Sequence, residues 1–218
     1  MDAPEGTRTA DMATGIRIDP DLLDHAAELR LFACGAADVY HLPLERLAEA
    51  GVAVTNANGI HGPNIAEHVL GSLLVFARGL NQALTRQECA EWRHERSFSE
   101  LQGSTVTVVG VGAIGGAVVD RPSPFGVHTI GVSHTPEKGG PTDEVVGYRG
   151  SFHDALARTD YQILARPLSE TTRGLVGGEK FQMLPASAST LRAGRSSAPR
   201  YLWVYSGTSA NFAKPRLT

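Results

Sequence analysis

A glycine-rich turn is the segment of this 218-residue chain with the clearest chemical meaning. A β-branched run at residues 106–109 leads directly into Gly110-x-Gly112-x-x-Gly115, and a helical pattern follows. In this order the first glycine permits a tight turn, the second lets a pyrophosphate approach the backbone, and the third lets the helix pack close to the strand. The helix N-terminus then faces the phosphates. The spacing predicts a dinucleotide site formed by Gly110, Gly112, Ala113, Ile114 and Gly115.

The residues that follow the next strand bear on which dinucleotide is bound. Residues 127–132 form a second apolar run, and Ser133 and His134 come directly after it. NAD sites commonly place an acid here to bind the ribose hydroxyls, but this chain has serine, histidine and threonine. Such a set accommodates the additional 2′-phosphate of NADP, so the sequence slightly favours NADP over NAD. The alternative is that Ser133 and His134 are ordinary loop residues.

A later strand is predicted to contribute to the same site. Residues 161–165 form a short apolar run, which is followed by a loop and a short helix. Ligands of an open parallel sheet bind at the carboxyl ends of its strands. We therefore expect Pro167, Leu168 and Thr172 to line the adenine and ribose side.

The elements upstream of the glycine turn alternate between helix and strand. Asp19 and Pro20 are a typical N-cap and first helical residue, and an apolar run at 29–34 follows them. Gly51 ends a second short helix before another strand at 52–57. A long amphipathic helix is predicted from Asn64 to about Ala90, with Leu80 as the last member of its apolar stripe. This rhythm is typical of an α/β protein with parallel strands.

Composition narrows the class of protein. The 42% of hydrophobic residues and the 24 glycines are typical of a globular α/β chain. The most apolar window, residues 69–77, is far shorter than the ~20 residues that a membrane-spanning helix needs. We therefore expect a cytoplasmic protein without membrane contact. Cys34 and Cys89 lack metal-ligand spacing, so neither a metal site nor a disulfide is predicted.

The net charge of -3 conceals an asymmetry along the chain. All 23 acidic residues lie at or before Glu179 with 14 of the 20 basic residues, which is a balance of -9. The remaining residues carry six basic side chains and no acid. A basic tail is one signature of nucleic-acid binding, but this tail lacks clustered lysines. We therefore expect no nucleic-acid partner.

Four segments together resemble the D-isomer-specific 2-hydroxyacid dehydrogenase family, and the likeness extends over residues 19–184. They are VTNANGIHGPNIAEHVLGSLL (54–74), LQGSTVTVVGVGAIG (101–115), DALARTDY (154–161) and PLSETTRGLVGGEKF (167–181). The resemblance implies a nucleotide domain inserted into a flavodoxin-like substrate domain. It implies hydride transfer between the nicotinamide of NAD(P) and C2 of a small 2-keto or 2-hydroxy acid. It also implies a homodimer formed through the nucleotide domain.

One loop resembles the family's substrate-binding loop. Residues 34–44 match a loop whose backbone amides hold the substrate carboxylate, which makes Ala37 and Asp38 candidate substrate-binding residues. Asp38 stands where the family usually has glycine. Its negative charge is expected to repel a carboxylate.

The family's catalytic arginine, histidine and glutamate cannot be carried over residue by residue. The arginine belongs to an Asn-x-Ala-Arg-Gly motif on the strand after the helix that begins near Gly178, and the other two come later. Residues 184–203 read LPASASTLRAGRSSAPRYLW instead. We considered a shifted reading frame in which each codon begins at the third base of the present codon. In that frame, codons for the residues from Ala188 onward can encode the missing motif. We therefore predict a one-base change of frame near residues 184–188 and no catalytic residue within this chain.

Together these patterns predict an α/β fold, with a Rossmann-type doubly wound parallel sheet and an incomplete flavodoxin-like substrate domain. The predicted segments are a loose start at 1–18, a partial substrate domain at 19–98, an incomplete Rossmann domain at 99–185, and a poorly ordered, out-of-frame tail at 186–218. The chain is expected to lack the family's first strand and helix as well as its closing helices. Two functions then stay open: a reductase completed by a partner chain, or a non-catalytic remnant that binds a dinucleotide weakly or not at all.

Overall fold

The structure is a computed structural model, and it describes residues 9–92, 98–166, 172, 174–193 and 204–206. The chain divides into two compact units, Met1–His61 and Gly62–Thr218. Each unit has its own parallel sheet and its own buried apolar core. The longest helix among the described residues has 16 residues, and none of these helices is long and apolar enough to cross a membrane.

The first unit is a three-stranded parallel sheet with two short helices. Its elements are β1 (Met12–Gly15), α1 (Pro20–His25), β2 (Leu31–Cys34), α2 (Leu44–Glu49) and β3 (Ala53–Asn56). The strand order is β1-β2-β3. Phe32 and Leu47 lie at the centre of the core between sheet and helices.

Local signals in this unit are confirmed, with one exception. The Asp19 side chain accepts a hydrogen bond from the Asp21 amide at 3.0 Å, as expected of the N-cap of α1. Gly51 follows α2 with a left-handed φ of 71°. The exception is β1, which lies within the segment predicted to be loose. Its backbone pairs with β2 at the edge of the sheet. The apolar side chain of Met12 is exposed, so β1 lacks the buried apolar residues by which a strand is predicted from sequence.

The second unit is a doubly wound sheet covered by helices. Its strands are β4 (Thr105–Val109), β5 (His128–Ser133), β6 (Glu144–Gly147), β7 (Tyr161–Leu164), β8 (Ser189–Arg192) and β9 (Val204–Ser206). Its helices are α3 (Gly62–Ala77), α4 (Leu80–Glu88), α5 (Ala113–Asp120), α6 (Ser151–Ala157) and α7 (Gly178–Gln182). The strand order is β6-β5-β4-β7-β8-β9, and only the β8–β9 pair among these is antiparallel. The order reverses direction between β4 and β7, which confirms the predicted Rossmann-type fold.

The predicted long helix is two helices. α3 begins at Gly62 and ends at Ala77, and α4 begins at Leu80. Gly79 between them has a φ of 59°, and a Cβ placed there would lie 2.4 Å from Cε1 of Phe98. The glycine therefore ends α3 and lets the Phe98 ring approach the backbone. Leu80 is 44% exposed, so its predicted place in the buried stripe is wrong.

The helix α3 packs within the second unit, so the division of the chain into compact units falls after residue 61, whereas the predicted boundary lies after residue 98. Val69 and Leu73 belong to the same core cluster as Val118 of α5. A Cβ placed on Gly62 would lie 3.3 Å from that of Ala117. The apolar face of α3 is buried against α5 and the sheet. The sequence pattern predicts an apolar face but does not show which elements cover it.

The start of the predicted tail is not irregular. Residues of β8 pair in parallel with β7, and Leu191 is completely buried. The expectation that residues 186–218 have no partner strand is therefore wrong at Ser189–Arg192 and Val204–Ser206. A short strand such as β8 can join a sheet when its neighbour offers free backbone groups and one of its own side chains enters the core. The change of frame concerns the coding DNA and stays a prediction.

A row of polar side chains is buried in the middle of this sheet. Thr107 of β4 faces Gln162 of β7, which in turn faces Thr190 of β8. The Thr190 hydroxyl donates to Gln162 Oε1 at 3.2 Å, and the hydroxyls of Thr107 and Thr159 are 2.7 Å apart. Among the described residues, Gln162 Nε2 has no hydrogen-bond partner. We name Thr107, Gln162 and Thr190 the polar row.

At the amino ends of β5 and β6, carboxylate side chains form hydrogen bonds and ion pairs with neighbouring residues. The backbone amide and hydroxyl of Thr129 donate to Asp143 Oδ2 at 2.8 and 2.7 Å, and these bonds lower the pKa of Asp143 below 3.8. The hydrogen bond from Arg158 likewise lowers the pKa of Glu144. His128 lies 3.7 Å from the first carboxylate and 3.8 Å from the second.

We expect Leu73→Ala to destabilise the second unit by about 2–5 kcal/mol, because it leaves a cavity between α3 and α5. Urea unfolding followed by circular dichroism measures the change. Leu84→Ala on α4 is the control, because Leu84 is 60% exposed and its loss should cost less than about 0.5 kcal/mol. Equal effects of the two changes would contradict the assignment of α3 to this core.

We expect Asp143→Asn to lower the free energy of unfolding by on the order of 1 kcal/mol near neutral pH, since solvent screens this half-exposed carboxylate. A carboxyl group with a depressed folded-state pKa stabilises the fold above its unfolded-state pKa. The difference between wild type and variant should therefore vanish as the pH falls through the folded-state pKa, below 3.8. Urea midpoints at a series of pH values test this, with Asp154→Asn on α6 as the control. A difference that does not depend on pH would contradict the prediction.

Candidate dinucleotide-binding site

The predicted glycine turn lies at the carboxyl end of the central strand β4. Gly110 has a φ of 98°, which favours glycine, and its amide donates to Val132 of β5 at 2.9 Å. A Cβ on Gly115 would lie 1.9 Å from the Gly110 carbonyl oxygen, so the first turn of α5 presses against the loop. Gly112 is the N-cap of α5, and a Cβ there would meet nothing within 4 Å. The turn is therefore tightly packed between Gly110 and Gly115, while the space beside Gly112 is open.

The N-terminus of α5 offers hydrogen-bond donors to a ligand. Its first helical hydrogen bond runs from the Gly116 amide to the Gly112 carbonyl oxygen at 2.8 Å. The amides of Ala113, Ile114 and Gly115 precede that bond, and a helix leaves such amides without acceptors of its own. Gly112 provides no side-chain cap. Together with the helix dipole, these donors suit a phosphate group.

The predicted ribose residues lie at the end of β5, beside this turn. Ser133 is the last residue of the strand, and its hydroxyl oxygen accepts a hydrogen bond from the Thr135 amide at 3.2 Å. His134 is exposed, and its ring stands edge-on to that of Tyr148, with 5.9 Å between the centroids. The Ser133 hydroxyl therefore shapes the loop, while the His134 ring faces the end of β6.

Sequence reasoning missed Arg166, which follows β7. A Cβ on Gly110 would lie 2.2 Å from Cγ of Arg166, so the arginine crosses directly over the glycine turn. Its guanidinium carbon is 4.8 Å from the centroid of the Tyr148 ring. The available signal was a basic residue directly after a strand that ends at the ligand edge of the sheet.

The remaining predicted cofactor residues lie partly outside the described residues. Thr172 is partly buried, and its carbonyl oxygen accepts a hydrogen bond from the Leu175 amide at 3.2 Å. Pro167 and Leu168 fall among the residues that the structure does not describe. A role for all three on the adenine and ribose side stays a prediction.

The predicted substrate loop lies at the carboxyl ends of the strands of the first unit. The Ala37 carbonyl oxygen accepts a hydrogen bond from Asn56 Nδ2 at 3.0 Å. Asp38 Oδ1 lies 3.3 Å from His41 Nδ1, and His41 Nε2 contacts the Ile16 carbonyl oxygen. The Asp38 carboxylate thus lies beside the imidazole ring of His41. Substrate binding by Ala37 and Asp38 stays a prediction.

Comparison with known proteins agrees with this geometry. The model of the D-isomer specific 2-hydroxyacid dehydrogenase NAD binding domain matches residues 70–198, which is more than half of the chain. D-3-phosphoglycerate dehydrogenase of Methanocaldococcus jannaschii is 28% identical over 183 residues, which are 84% of this chain and 35% of that protein. Glyoxylate reductase of Aeropyrum pernix is 29% identical over 189 residues, which are 83% of this chain and 56% of that protein.

A solved structure shows the same fold. The TT0316 protein from Thermus thermophilus superposes with a TM-score of 0.74 and 27% identity, covering 90% of this chain and 65% of that one. The chain thus spans between about a third and two thirds of the length of these relatives. The match of the family model continues past residue 185, through β8. The chain belongs to the D-isomer specific 2-hydroxyacid dehydrogenase family, whose NAD binding domain it carries.

Proposed function

We propose that the second unit binds NAD(P), and that the chain is the nucleotide-binding part of an oxidoreductase acting on a small 2-keto or 2-hydroxy acid. The observation that carries this proposal is the open side of Gly112, directly in front of the unpaired amides of α5. The turn lies where the strand order reverses, which is the usual ligand crevice of such sheets. The names of the relatives, D-3-phosphoglycerate dehydrogenase and glyoxylate reductase, support the substrate class.

The residues of this chain hold and orient the nucleotide. The amides of Ala113 and Ile114 bind the pyrophosphate, and Gly112 lets it approach the backbone. The bound nicotinamide supplies the hydride chemistry, so the task of the protein is to fix its position. At the adenosine end, Ser133 and His134 stand in place of an acid, which favours NADP over NAD.

A second candidate function is non-catalytic nucleotide binding. It is favoured by the residues at β8, where Ser189–Arg192 stands in the region expected to carry the family's Asn-x-Ala-Arg-Gly motif. Under the first candidate, a partner chain supplies the arginine, histidine and glutamate. Homodimer formation and a cytoplasmic location are further parts of the proposal that need their own tests.

Titration with NADH and NADPH, followed by nucleotide fluorescence, tests the proposal. We expect both nucleotides to bind, NADPH more tightly. Glyoxylate or hydroxypyruvate is then added to the same sample. Binding without oxidation supports the non-catalytic candidate, whereas steady oxidation shows that the chain is catalytic. Absence of binding by a folded protein would contradict the proposal.

We expect Gly115→Ala to weaken the binding of either nucleotide by at least about tenfold, equivalent to ~1.4 kcal/mol. The new methyl group meets the Gly110 carbonyl oxygen, so α5 must move away from the turn. Gly71→Ala is the matched control, because Gly71 also lies within a helix, α3, and a Cβ there meets nothing within 4 Å. Circular dichroism confirms folding of both variants, and unchanged affinity in Gly115→Ala would contradict the role of this close contact.

A further inference from the structure

Three side chains near the carboxyl ends of β5, β6 and β7 form a stack, and two of them, Tyr148 and Arg166, have no part in the proposed function so far. His134 follows β5, Tyr148 follows β6, and Arg166 follows β7. The histidine ring meets the tyrosine ring edge-on at an interplanar angle of 73°, and the guanidinium lies over the same tyrosine ring. We call these three residues the ribose-side stack, because they adjoin the position of the adenosine ribose in such sheets.

The course of the Arg166 side chain is fixed by the glycine turn. A Cβ on Gly110 would lie 2.2 Å from Cγ and 3.1 Å from Cδ of Arg166, so any other residue at position 110 would displace the stem. The stem crosses the end of β4, and the guanidinium group then reaches Tyr148 on the far side of β5. Arg166 therefore carries its charge from the pyrophosphate loop toward the ribose side.

The charge of Arg166 is not neutralised by a carboxylate among the described residues. The pairs that His128 and Arg158 form with Asp143 and Glu144 lie at the amino ends of the strands, with 2.6 Å between Arg158 and Glu144. A guanidinium stacked on an aromatic ring keeps its N–H groups in the plane of the group, available to an anion. Planar, forked donors of this kind match a phosphate group.

We propose that Arg166 is a specificity-determining residue that binds the 2′-phosphate of NADP, and that Tyr148 holds it in position. The inference rests on the proposed function and extends it. An acid at Ser133 or His134 would repel a 2′-phosphate, and this chain has none there. The exposed His134 lies on the same tyrosine ring as the guanidinium, which places both at the ribose edge of the crevice. The Tyr148 hydroxyl has no hydrogen-bond partner among the described residues. We therefore assign the positioning of Arg166 to the aromatic ring of Tyr148 and not to its hydroxyl group.

The experiment compares dissociation constants for NADPH and NADH, measured by fluorescence, in wild type and in Arg166→Gln. We expect the affinity for NADPH to fall about tenfold or more, since a hydrogen-bonded charge is lost. The affinity for NADH should change less than about twofold. Arg149→Gln is the matched control, because Arg149 is exposed next to the stack and should leave both constants unchanged.

Variants of Tyr148 separate stacking from hydrogen bonding. Tyr148→Phe keeps the ring and should keep the preference for NADPH, whereas Tyr148→Leu should lose much of it. Competition by 2′,5′-ADP against 5′-ADP reports the same preference without the nicotinamide. In wild type 2′,5′-ADP should compete better, and in Arg166→Gln the two should compete equally.

Other outcomes overturn the inference in distinguishable ways. Equal weakening of both nucleotides in Arg166→Gln would assign the arginine to the pyrophosphate. Tighter binding of both would mean that the side chain covers the crevice. In either case wild-type binding still supports the proposed function. Failure of folded wild-type protein to bind either nucleotide would contradict the proposed function and this inference with it.

Discussion

The contact between the Gly110 carbonyl oxygen and Gly115 is the constraint on which the second unit depends. A Cβ on Gly115 would lie 1.9 Å from this oxygen, so no side chain fits there, and its absence lets α5 pack directly against the turn after β4. The helix α3 packs against α5 in the same core, where a Cβ on Gly62 would lie 3.3 Å from that of Ala117. The same contact turns the first amides of α5 toward solvent. A packing requirement and a ligand-binding requirement are thus met by one pair of glycines.

Carboxylates that accept hydrogen bonds stand at the amino ends of the strands of this sheet. At the amino ends, Asp160 and Asp143 accept hydrogen bonds from backbone amides of the neighbouring strands β4 and β5, and Glu144 of β6 accepts one from the Arg158 side chain. The residues directly after β4, β5 and β7 include Gly110, His134 and Arg166, and none of them is acidic. These acids therefore join strands at the end of the sheet away from the glycine turn, and the proposed phosphate site lies at the other end.

Sequence reasoning succeeded where the signal is local and failed where it depends on distant residues. The cap at Asp19 and the turn at Gly110 are written in adjacent residues, so both were predictable. The break at Gly79 depends on the ring of Phe98, and β1 depends on pairing with β2. Arg166 becomes a candidate site residue only because the fold brings it close to Gly110 and Tyr148. Short motifs therefore predict the glycine turn, whereas the side chains around it become apparent only from the fold.

The polar row also bears on how the chain avoids misfolding. Thr107, Gln162 and Thr190 stand opposite one another across three parallel strands, all buried. A shift of one residue along β7 would turn Gln162 to the other face and break its bond to Thr190. A row of apolar side chains would tolerate such a shift better, because similar apolar side chains can replace one another in the core without losing a hydrogen bond. A shifted register would leave further buried polar atoms without partners, so the polar row makes the native alignment of β7 and β8 energetically favourable over such a shift.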